Sequence, residues 1–538
     1  MPAPRKNRKV LSVVDESLLD VHEIQGNILA GFNKDHQLLI ALAIQDVAAA
    51  KAWLTRLAPH ISSLSEVWQF NQLFRAKRRR LNHDPTGLIA TWINVAFSHG
   101  GIVKLASASD ADGVPDQAFR QGLPARAASL GDTAAVAGEP VSGDWIVGAD
   151  GKVPDILLII ASDDEGQLQR AASQLRPGMG DLAGAPQVIW EELGATRSDL
   201  PGHEHFGFKD GISQPAVRGL VSRSPDIYLC DRLLEDPPAG EIAFATPGAP
   251  LVWPGEFVFG YPSNNTNDGS PVASPTLPPW VRNGSLLVFR RLQQNVAAFH
   301  GFLRSAAGAL AATTDFPAMS AERLGALLVG RWPSGAPVSR AIAQDNENLA
   351  QDPLSVNDFL FAADTPPPHF RTGHGTAMTF PPATSDPLGL ICPRPAHIRK
   401  VNPRDQDSDK GDEFDTLTRR ILRRGIPFGP PLANPPGGQL PADDGVARGL
   451  HFLCYQTSIV EQFEILQQDW ANSTENPKPH GHDMIIGQPS GGHREVNLLT
   501  ATGGVQQIQT DRSFVRMTGG GYFFAPSINA VSQFLAKM

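Results

Sequence analysis

Four segments of the chain repeat one pattern of apolar and polar positions. Each begins with a short apolar run, continues through a polar break, and ends in apolar residues at helical spacing. Short apolar runs are typical of buried strands, and the spacing that follows is typical of an amphipathic helix. The pattern predicts four strand–helix units, whose strands are Leu38–Ile44, Ile156–Ala161, Leu286–Phe289 and Leu450–Tyr455.

The four units fall into two pairs, with a further strand candidate at Gln187–Trp190. Two halves that each contain a βαβ unit would produce this pattern, so we expect an α+β protein. The chain of 538 residues is also too long for one hydrophobic core of ordinary size, which favours two domains. Periodicity alone leaves the architecture of each half open.

The boundary between the halves is expected near residues 220–240. We predict a flexible N-terminus over 1–20, an N-terminal domain over 21–225 and a C-terminal domain over 226–538. A long insert at 311–447, with several Pro/Gly-rich stretches, splits the second pair of units. Loops of this length inside a domain are usually functional or disordered.

Composition narrows the class of protein. A hydrophobic fraction of 41% and a charged fraction of 19% are typical of a globular chain. The net charge of −9 argues against a dedicated nucleic-acid binder. The N-terminus lacks the apolar stretch of about 7–15 residues that a signal peptide has, and no apolar run approaches the ~18 residues of a spanning helix. We therefore expect a soluble, cytoplasmic protein with no membrane partner.

One candidate site lies in a glycine-rich segment of the N-terminal half. Asp210 is bracketed by glycines within His203–Pro215, and aromatic residues precede it. Glycine allows the backbone to approach another group closely, so the carboxylate could face a ligand. The alternative is an Asx turn in which Asp210 binds only its own backbone.

A second candidate site lies in the insert. His397 stands among four cations between Cys392 and Arg404. One imidazole for an iron ion and cations for two propionates are what a haem site requires. The alternative is a solvated basic loop with a histidine in it.

Two arginine pairs, Arg419-Arg420 and Arg423-Arg424, follow at helical spacing. Such spacing usually indicates an exposed helix face, and the Gly425-Ile426-Pro427 sequence would end that helix.

Five elements, in order along the chain, resemble the dye-decolorizing peroxidase family, in its long, fungal-like form. The resemblance runs from about residue 20 to near the C-terminus. The elements are IQGNILAGFNKDH at Ile24–His36, GxxDG at Gly207–Gly211, HIRKVNPR at His397–Arg404, ILRRGIPFG at Ile421–Gly429, and the segment Gly449–Asn472.

The resemblance implies a role for each matching residue. His397 would be the proximal haem ligand and therefore the metal-binding residue, and Asp210 would lie over the distal face. Arg423 would be the distal arginine, with Arg424 as the alternative. Arg404 would pair with a haem propionate.

Four further residues are carried over in the same way. Leu450 and Phe452 would border the space that binds peroxide. Asp483 would accept a hydrogen bond from the proximal histidine, in an element where Met484 replaces the usual proline. Trp470 corresponds to a surface tryptophan that oxidises bulky substrates in some fungal members, although its helical spacing also suits a core position.

The resemblance implies two ferredoxin-like domains with antiparallel sheets and peripheral helices, and haem in the C-terminal half. It implies a haem peroxidase that uses hydrogen peroxide to oxidise dyes, phenols and other aromatic reductants in one-electron steps. Because no CxxCH motif occurs, the haem b would be bound non-covalently. An Asp base also predicts an acidic pH optimum, since Asp ionises at lower pH than His.

Two alternatives stay open. The first is a protein that binds haem or releases its iron, as a deferrochelatase does, without significant peroxidase turnover. The second is a metal-dependent hydrolase that uses His203 and His205 or His480 and His482, although no HExxH motif accompanies them. A homo-oligomer is possible in either case.

Overall fold

The structure is a computed structural model of the chain. It describes residues 19–132, 145–149, 151–176, 184–220, 244–246, 248–362, 380–381, 383–433, 442–500 and 502–537. The predicted flexible N-terminus lies outside the described residues except for Leu19 and Asp20, and most of the predicted boundary at 220–240 lies outside them as well.

The N-terminal half contains a four-stranded antiparallel sheet. Its strands are β1 His36–Ala43, β2 Thr91–Phe97, β3 Ile156–Ser162 and β4 Gln187–Ala195, in the order β2-β3-β1-β4. Helices α1 Gly26–Leu29, α2 Val47–Leu57, α3 Leu64–Leu81 and α4 Glu165–Leu175 complete its main framework. Helices follow β1 and β3, and the strand order is that of a ferredoxin-like unit.

The C-terminal half repeats this arrangement. Its strands are β5 Ser285–Gln294, β6 Leu422–Arg423, β7 Ile426–Phe428, β8 Gly449–Gln456 and β9 Val515–Ala525. The long strand β5 pairs with both β8 and β9, and β8 pairs with β6 and β7. Helix α5 Val296–Ala311 follows β5, and a helix with π-type turns, Ile459–Ala471, follows β8.

Two narrow contacts join the halves into one closed sheet. Phe428 of β7 pairs with Gly194 of β4, and Phe524 of β9 pairs with Phe97 of β2. Because β5 also pairs with β8, the nine strands among the described residues form a barrel. A barrel leaves few strand edges exposed to solvent.

Side chains alternate between the two faces of the barrel wall. One face carries Leu39, Leu287 and Leu453, which pack with other strand residues in one buried cluster. The opposite face carries Ile40, Leu286 and Cys454 and packs with the helices. The helix-facing side of the C-terminal half is where the candidate site lies.

Further short elements complete the chain. In the insert, helices α6 Ala321–Val329, α7 His397–Lys400 and α8 Glu413–Thr418 are the ones that matter for the site. The remaining helices are His99–Leu105, Ala108–Ala111, Gln117–Gln121, Leu123–Arg126, Glu347–Gln351 and Ile528–Ala530, with shorter turns at Ala58–His60, Pro254–Glu256, Pro279–Val281 and Val531–Leu535. The remaining strands are Ala216–Val217, Phe244–Thr246, Ala249–Val252, Ser263–Asn264, Pro271–Val272, Arg494–Leu499 and Val505–Thr510.

The four predicted strand–helix units and the two-half α+β architecture are confirmed. The helix predicted across the two arginine pairs is wrong, because α8 ends at Thr418 and the second pair begins a strand region. There, β6 and β7 pair with β8. Pairing with a neighbouring strand outweighs the local helical spacing of the charges.

Candidate active site

A cavity of about 280 Å³ lies between the C-terminal sheet, helices α6 and α7 and the helix Ile459–Ala471. The glycine-rich segment that carries Asp210 reaches it from the N-terminal half. Six of the predicted site residues line this cavity: Asp210, His397, Arg404, Arg423, Leu450 and Phe452. The structure therefore brings together residues that are up to 242 positions apart in sequence (452 minus 210).

His397 is the first residue of α7, and its imidazole faces the cavity. Its Nδ1 lies 2.7 Å from Oδ2 of Asp483, which is fully buried. The other Asp483 oxygen accepts hydrogen bonds from the N–H groups of Ile485 and Ile486. Burial opposes ionisation of Asp483, but the imidazole and these amides outweigh it, so its pKa lies below its usual range.

Helix α7 is held by the cations that surround His397 in sequence. Arg399 donates hydrogen bonds to Asp386 and to the carbonyl oxygen of Cys392, and Lys400 donates to the carbonyl oxygen of Asn476. Only Arg404 of the cations in His397–Arg404 lines the cavity. The basic segment is therefore mostly a buried scaffold for one imidazole, and the solvated-loop alternative is wrong.

Asp210 and Arg423 form an ion pair at the wall of the same cavity. The Arg423 Nη1 lies 2.7 Å from Oδ1 of Asp210, which also accepts the Gly211 N–H at 2.6 Å. Gln214 fixes the backbone of Arg423 by hydrogen bonds in both directions. Burial opposes ionisation of Asp210, but the Arg423 cation and the Gly211 N–H outweigh it and hold its pKa below the usual range.

The two neighbouring arginines of the second pair have different surroundings. Arg423 faces Asp210, whereas the guanidinium of Arg424 donates to the carbonyl oxygens of Asn27, Ile28 and Leu29 in α1. Carbonyl groups at the end of a helix lack partners within the helix. Arg424 therefore supports the N-terminal half, and Arg423 is the arginine that meets Asp210.

Three arginines crowd the cavity wall. Arg404 stacks over Phe359 with its guanidinium carbon 4.1 Å from the ring centre, and its Nε has no hydrogen-bond partner among the described residues. Burial lowers the pKa of Arg404 to about 10 and that of Arg420 to about 9. Arg331 is buried as well, and its pKa falls because of burial and the nearby charges of Arg404 and Arg423.

Sequence reasoning missed Arg331 and Arg420 as site residues. Arg331 follows α6 inside the insert, outside every motif, and it is anchored by Gly335, Val356 and Asn357. Arg420 was assigned to an exposed helix face, but it lines the cavity and its Nε lacks a partner in the described part of the chain. Neither residue type nor spacing identifies these arginines as site residues in the sequence, because only the fold brings them to the cavity.

Leu450 and Phe452 alternate with His451 along β8, so they face the cavity while His451 faces the barrel interior. Ile398, Val401, Phe463, Leu466, Ile485 and Ile486 add further apolar side chains to the lining. The cavity thus combines apolar walls with cations on one side.

Trp470 does not lie at the surface, so that part of its prediction is wrong. Its side chain is buried, with 1% exposure, and packs against Ile421, Ile465 and Leu466. The indole N–H donates to Oδ1 of Asp409 at 2.8 Å. The helix Ile459–Ala471 places Trp470 on its buried face, as the core alternative expects.

The histidines of the two HxH sequences bind other groups. Both ring nitrogens of His203 lie within hydrogen-bond distance of backbone carbonyl oxygens, and His205 Nε2 lies 2.8 Å from the carbonyl oxygen of Phe428. His480 meets Arg394, and His482 accepts the Glu495 N–H. Within the described ranges, no three His, Cys, Asp or Glu side chains are grouped as metal ligands.

The residues of the cavity fit a haem. Apolar side chains suit the porphyrin faces, His397 presents an imidazole for the iron, and Arg404 and Arg420 have buried N–H groups that need acceptors. Mutual repulsion among the buried arginines would be relieved by two carboxylates, the charge that haem propionates carry. With the Asp210–Arg423 pair on its wall, this α+β barrel has the site of a haem peroxidase.

Comparison with known proteins agrees with that class. The family model of the DyP dimeric alpha+beta barrel domain matches residues 23–194. "Peroxidase 2" of Mycetinis scorodonius is 31% identical over 96% of this chain and 88% of its own length. A "Dye-decolorizing peroxidase" of Mycena epipterygia is 31% identical over 97% and 88%. An ancestral D-type dye-decolorizing peroxidase superposes with a TM-score of 0.74 at 31% identity, over 97% of this chain and 100% of its own.

The chain belongs to the dye-decolorizing peroxidase family. It is a haem peroxidase that uses peroxide to oxidise dyes, and the predicted enzyme class is confirmed. Nothing in the comparisons or the site favours the haem-handling alternative. No helix among the described residues is both long and apolar enough to cross a membrane.

Proposed function

We propose that His397 is the proximal iron ligand and that Asp210 and Arg423 are the catalytic residues of the distal side. The main support is that the His397 imidazole and the Asp210–Arg423 pair line one cavity, although they come from different segments of the chain. The pair is fixed before any substrate arrives, because Ser213 and Gln214 bind the arginine. Such preorganisation is what stabilises developing charge in an active site.

When bound, haem b supplies the redox centre at which the O–O bond of hydrogen peroxide is cleaved. Asp210 accepts a proton from one peroxide oxygen and returns it to the other, so that water can leave. Arg423 places a permanent positive charge where negative charge develops during this transfer. Leu450 and Phe452 limit the space around the peroxide and exclude water from it.

Asp483 orients His397. Its carboxylate accepts the Nδ1–H of the imidazole at 2.7 Å, which leaves Nε2 with its lone pair for the iron. A carboxylate partner also makes the imidazole a stronger electron donor. Arg404 would bind a propionate, and the absence of CxxCH makes the haem non-covalent.

Several finer assignments remain predictions. Phenols and other aromatic reductants are proposed as substrates besides dyes, with electrons given one at a time. A cytoplasmic location, a homo-oligomer and the domain limits 21–225 and 226–538, with the insert at 311–447, are proposed on the sequence alone. We also propose Trp470 as a buried relay for electrons from bulky reductants.

The catalytic assignment is tested by stopped-flow measurement of the reaction with hydrogen peroxide. Replacing the base, Asp210→Asn, should lower the bimolecular rate constant by about 100-fold or more. Arg423→Leu should lower it by a similar factor. The neighbouring Arg197–Asp199 ion pair, 2.6 Å long, offers a matched control: Asp199→Asn should react at the wild-type rate. Wild-type rates in both distal variants would refute the assignment.

The low pKa of Asp210 also predicts that the reaction with peroxide persists in acid. Because its pKa lies below the ordinary value of about 3.9, the base stays ionised in mildly acidic solution. The rate constant for peroxide should therefore stay level from neutral pH to about pH 4 and fall below it. A decline that begins near pH 6.5 would indicate a histidine base instead.

A further inference from the structure

The Glu204 carboxylate binds the segment that carries Asp210. Its Oε1 accepts the N–H of Phe208 at 2.9 Å, and its Oε2 accepts the N–H of Phe206 at 2.8 Å. Gln294 of β5 donates its side-chain amide to the same Oε2. One carboxylate thus satisfies two backbone donors of the segment and ties them to the sheet.

The backbone closes the same segment into a narrow loop. The N–H of Asp210 donates to the carbonyl oxygen of Gly202 at 3.0 Å, and the N–H of Glu204 donates to that of Phe208 at 3.1 Å. The Glu204 side chain binds the backbone of this loop at Phe208, two residues before Asp210. The hydrogen bonds of Glu204 thus help to hold the backbone that leads to Asp210.

Two buried aromatic rings anchor the loop. Phe206 lies against Phe299 of α5, with ring centres 4.3 Å apart, and Phe208 contacts the same ring edge-on at 6.4 Å. Their backbone N–H groups point to Glu204 and not to water. Leaving such donors unpaired would cost about 1–3 kcal/mol each.

Glu204 is also a lining residue of two cavities. It borders the cavity with His397 and a second, open cavity of about 530 Å³. Asp210, Gln214 and Arg423 lie in the same shared wall. Burial raises the pKa of Glu204 to about 7, and the negative charge of nearby Asp210 acts in the same direction. The hydrogen bonds from its N–H donors act against this rise.

We propose that Glu204 is a positioning residue that sets the place of the Asp210 carboxylate by holding the amides of Phe206 and Phe208. The proposal rests on the proposed role of Asp210 in the reaction with peroxide. The imidazole of His397 bonds to Asp483 and the guanidinium of Arg423 bonds to Asp210, so Glu204 is not their hydrogen-bond partner. Its effect on the reaction passes through the loop.

The test is a double-mutant cycle on the haem-loaded protein. Glu204→Gln keeps the shape of the side chain but replaces one carboxylate oxygen with an NH₂ group. This group is a donor and cannot accept the backbone N–H of Phe206 or Phe208. A displaced catalytic group can cost about 100-fold in rate, so we expect the rate constant with peroxide to fall about 10-fold in Glu204→Gln. In the Asp210→Asn background the same change should cost less than about 2-fold, since coupled residues are not additive.

Glu256→Gln is the matched control. Glu256 is a buried carboxyl that, like Glu204, has a raised pKa, about 8, and accepts a backbone N–H, from Asn264. It lines neither cavity. We expect this variant to lose stability and to keep the wild-type rate constant in its folded fraction.

Hydrogen exchange gives a readout that does not depend on turnover. The amides of Phe206 and Phe208 should exchange faster in Glu204→Gln, and the same change is expected in Gln294→Leu, a milder variant. Unchanged exchange, or equal rate losses with and without Asp210, would overturn the positioning role. If Asp210→Asn alone reacts at the wild-type rate, the proposed role of Asp210 fails. The cycle therefore separates a failure of the proposed function from a failure of the Glu204 proposal.

Discussion

Arg423 and Arg424 are adjacent, of one residue type, and have different partners. Strand geometry sends successive side chains to opposite faces, so one guanidinium reaches Asp210 and the other reaches the carbonyl oxygens of α1. The motif alone left both open as the distal arginine. The choice depends on the register of β6 against β8, which no local pattern encodes.

The two roles predict different effects for Arg423→Leu, which should slow the reaction with peroxide, and for Arg424→Met, which should lower stability. Arg424→Met removes a charged donor from the carbonyl oxygens of Asn27, Ile28 and Leu29. It should lower the free energy of unfolding by about 2 kcal/mol and leave the rate constant with peroxide unchanged. Denaturant unfolding and stopped flow check both points. If Arg424→Met reacted slowly with peroxide and kept wild-type stability, Arg424 and not Arg423 would be the arginine that acts in the reaction.

Trp470 is buried, so a bulky dye cannot touch the ring. Its indole N–H donates to Asp409, whose side chain is partly exposed, and this contact links the ring to the surface. Trp470→Phe should therefore lower turnover of bulky dyes and spare small reductants that reach the cavity. The check is to measure steady-state rates with one bulky dye and one small reductant. An equal loss of rate for both would indicate that Trp470 has only a packing role.

At the scale of elements, the strand–helix units were predictable because their signals are local. The apolar runs of β1, β3, β5 and β8 are followed by residues at helical spacing, and each of these elements formed. Closure of the barrel was not predictable, because it depends on the single pairs Phe428–Gly194 and Phe524–Phe97. One-residue contacts between distant strands leave no periodic trace in the sequence.

The barrel interior also contains an ionic group that joins three strands. Glu192 of β4 binds Arg291 of β5 through two hydrogen bonds and lies 2.6 Å from Nε2 of His451 of β8. Burial opposes the ionisation of Glu192, but these partners outweigh it and lower its pKa to about 2. Burial lowers the pKa of His451, against the effect of its neighbour Glu192.

This group predicts a loss of stability in acid. A carboxyl with a lowered pKa stabilises the fold fully above its unfolded pKa of about 4.3, and the contribution disappears as pH falls toward the folded value. The contribution of Glu192 is at most about 3 kcal/mol. Glu192→Gln should therefore lower the free energy of unfolding at pH 6, and the difference from wild type should shrink toward pH 2. An equal difference at both pH values would contradict the ionic role.

At the scale of the whole molecule, the site assembles from three distant parts. Within the insert, the segment around α7 supplies His397 and strand β6 supplies Arg423, while the N-terminal half supplies Asp210. The motifs made these three residues predictable, because each lies in a recognisable segment. Arg331 and Arg420 were not, since only the fold brings them to the cavity.

The central claim is that His397 would hold the haem iron in the cavity whose wall carries Asp210. The most direct measurement is the absorption spectrum of purified His397→Gly, with and without added imidazole, followed by reaction with hydrogen peroxide. The account predicts a lost or shifted Soret band and no reaction with peroxide, both restored by imidazole that enters the space left by the side chain. A wild-type Soret band and a wild-type rate without imidazole would contradict it.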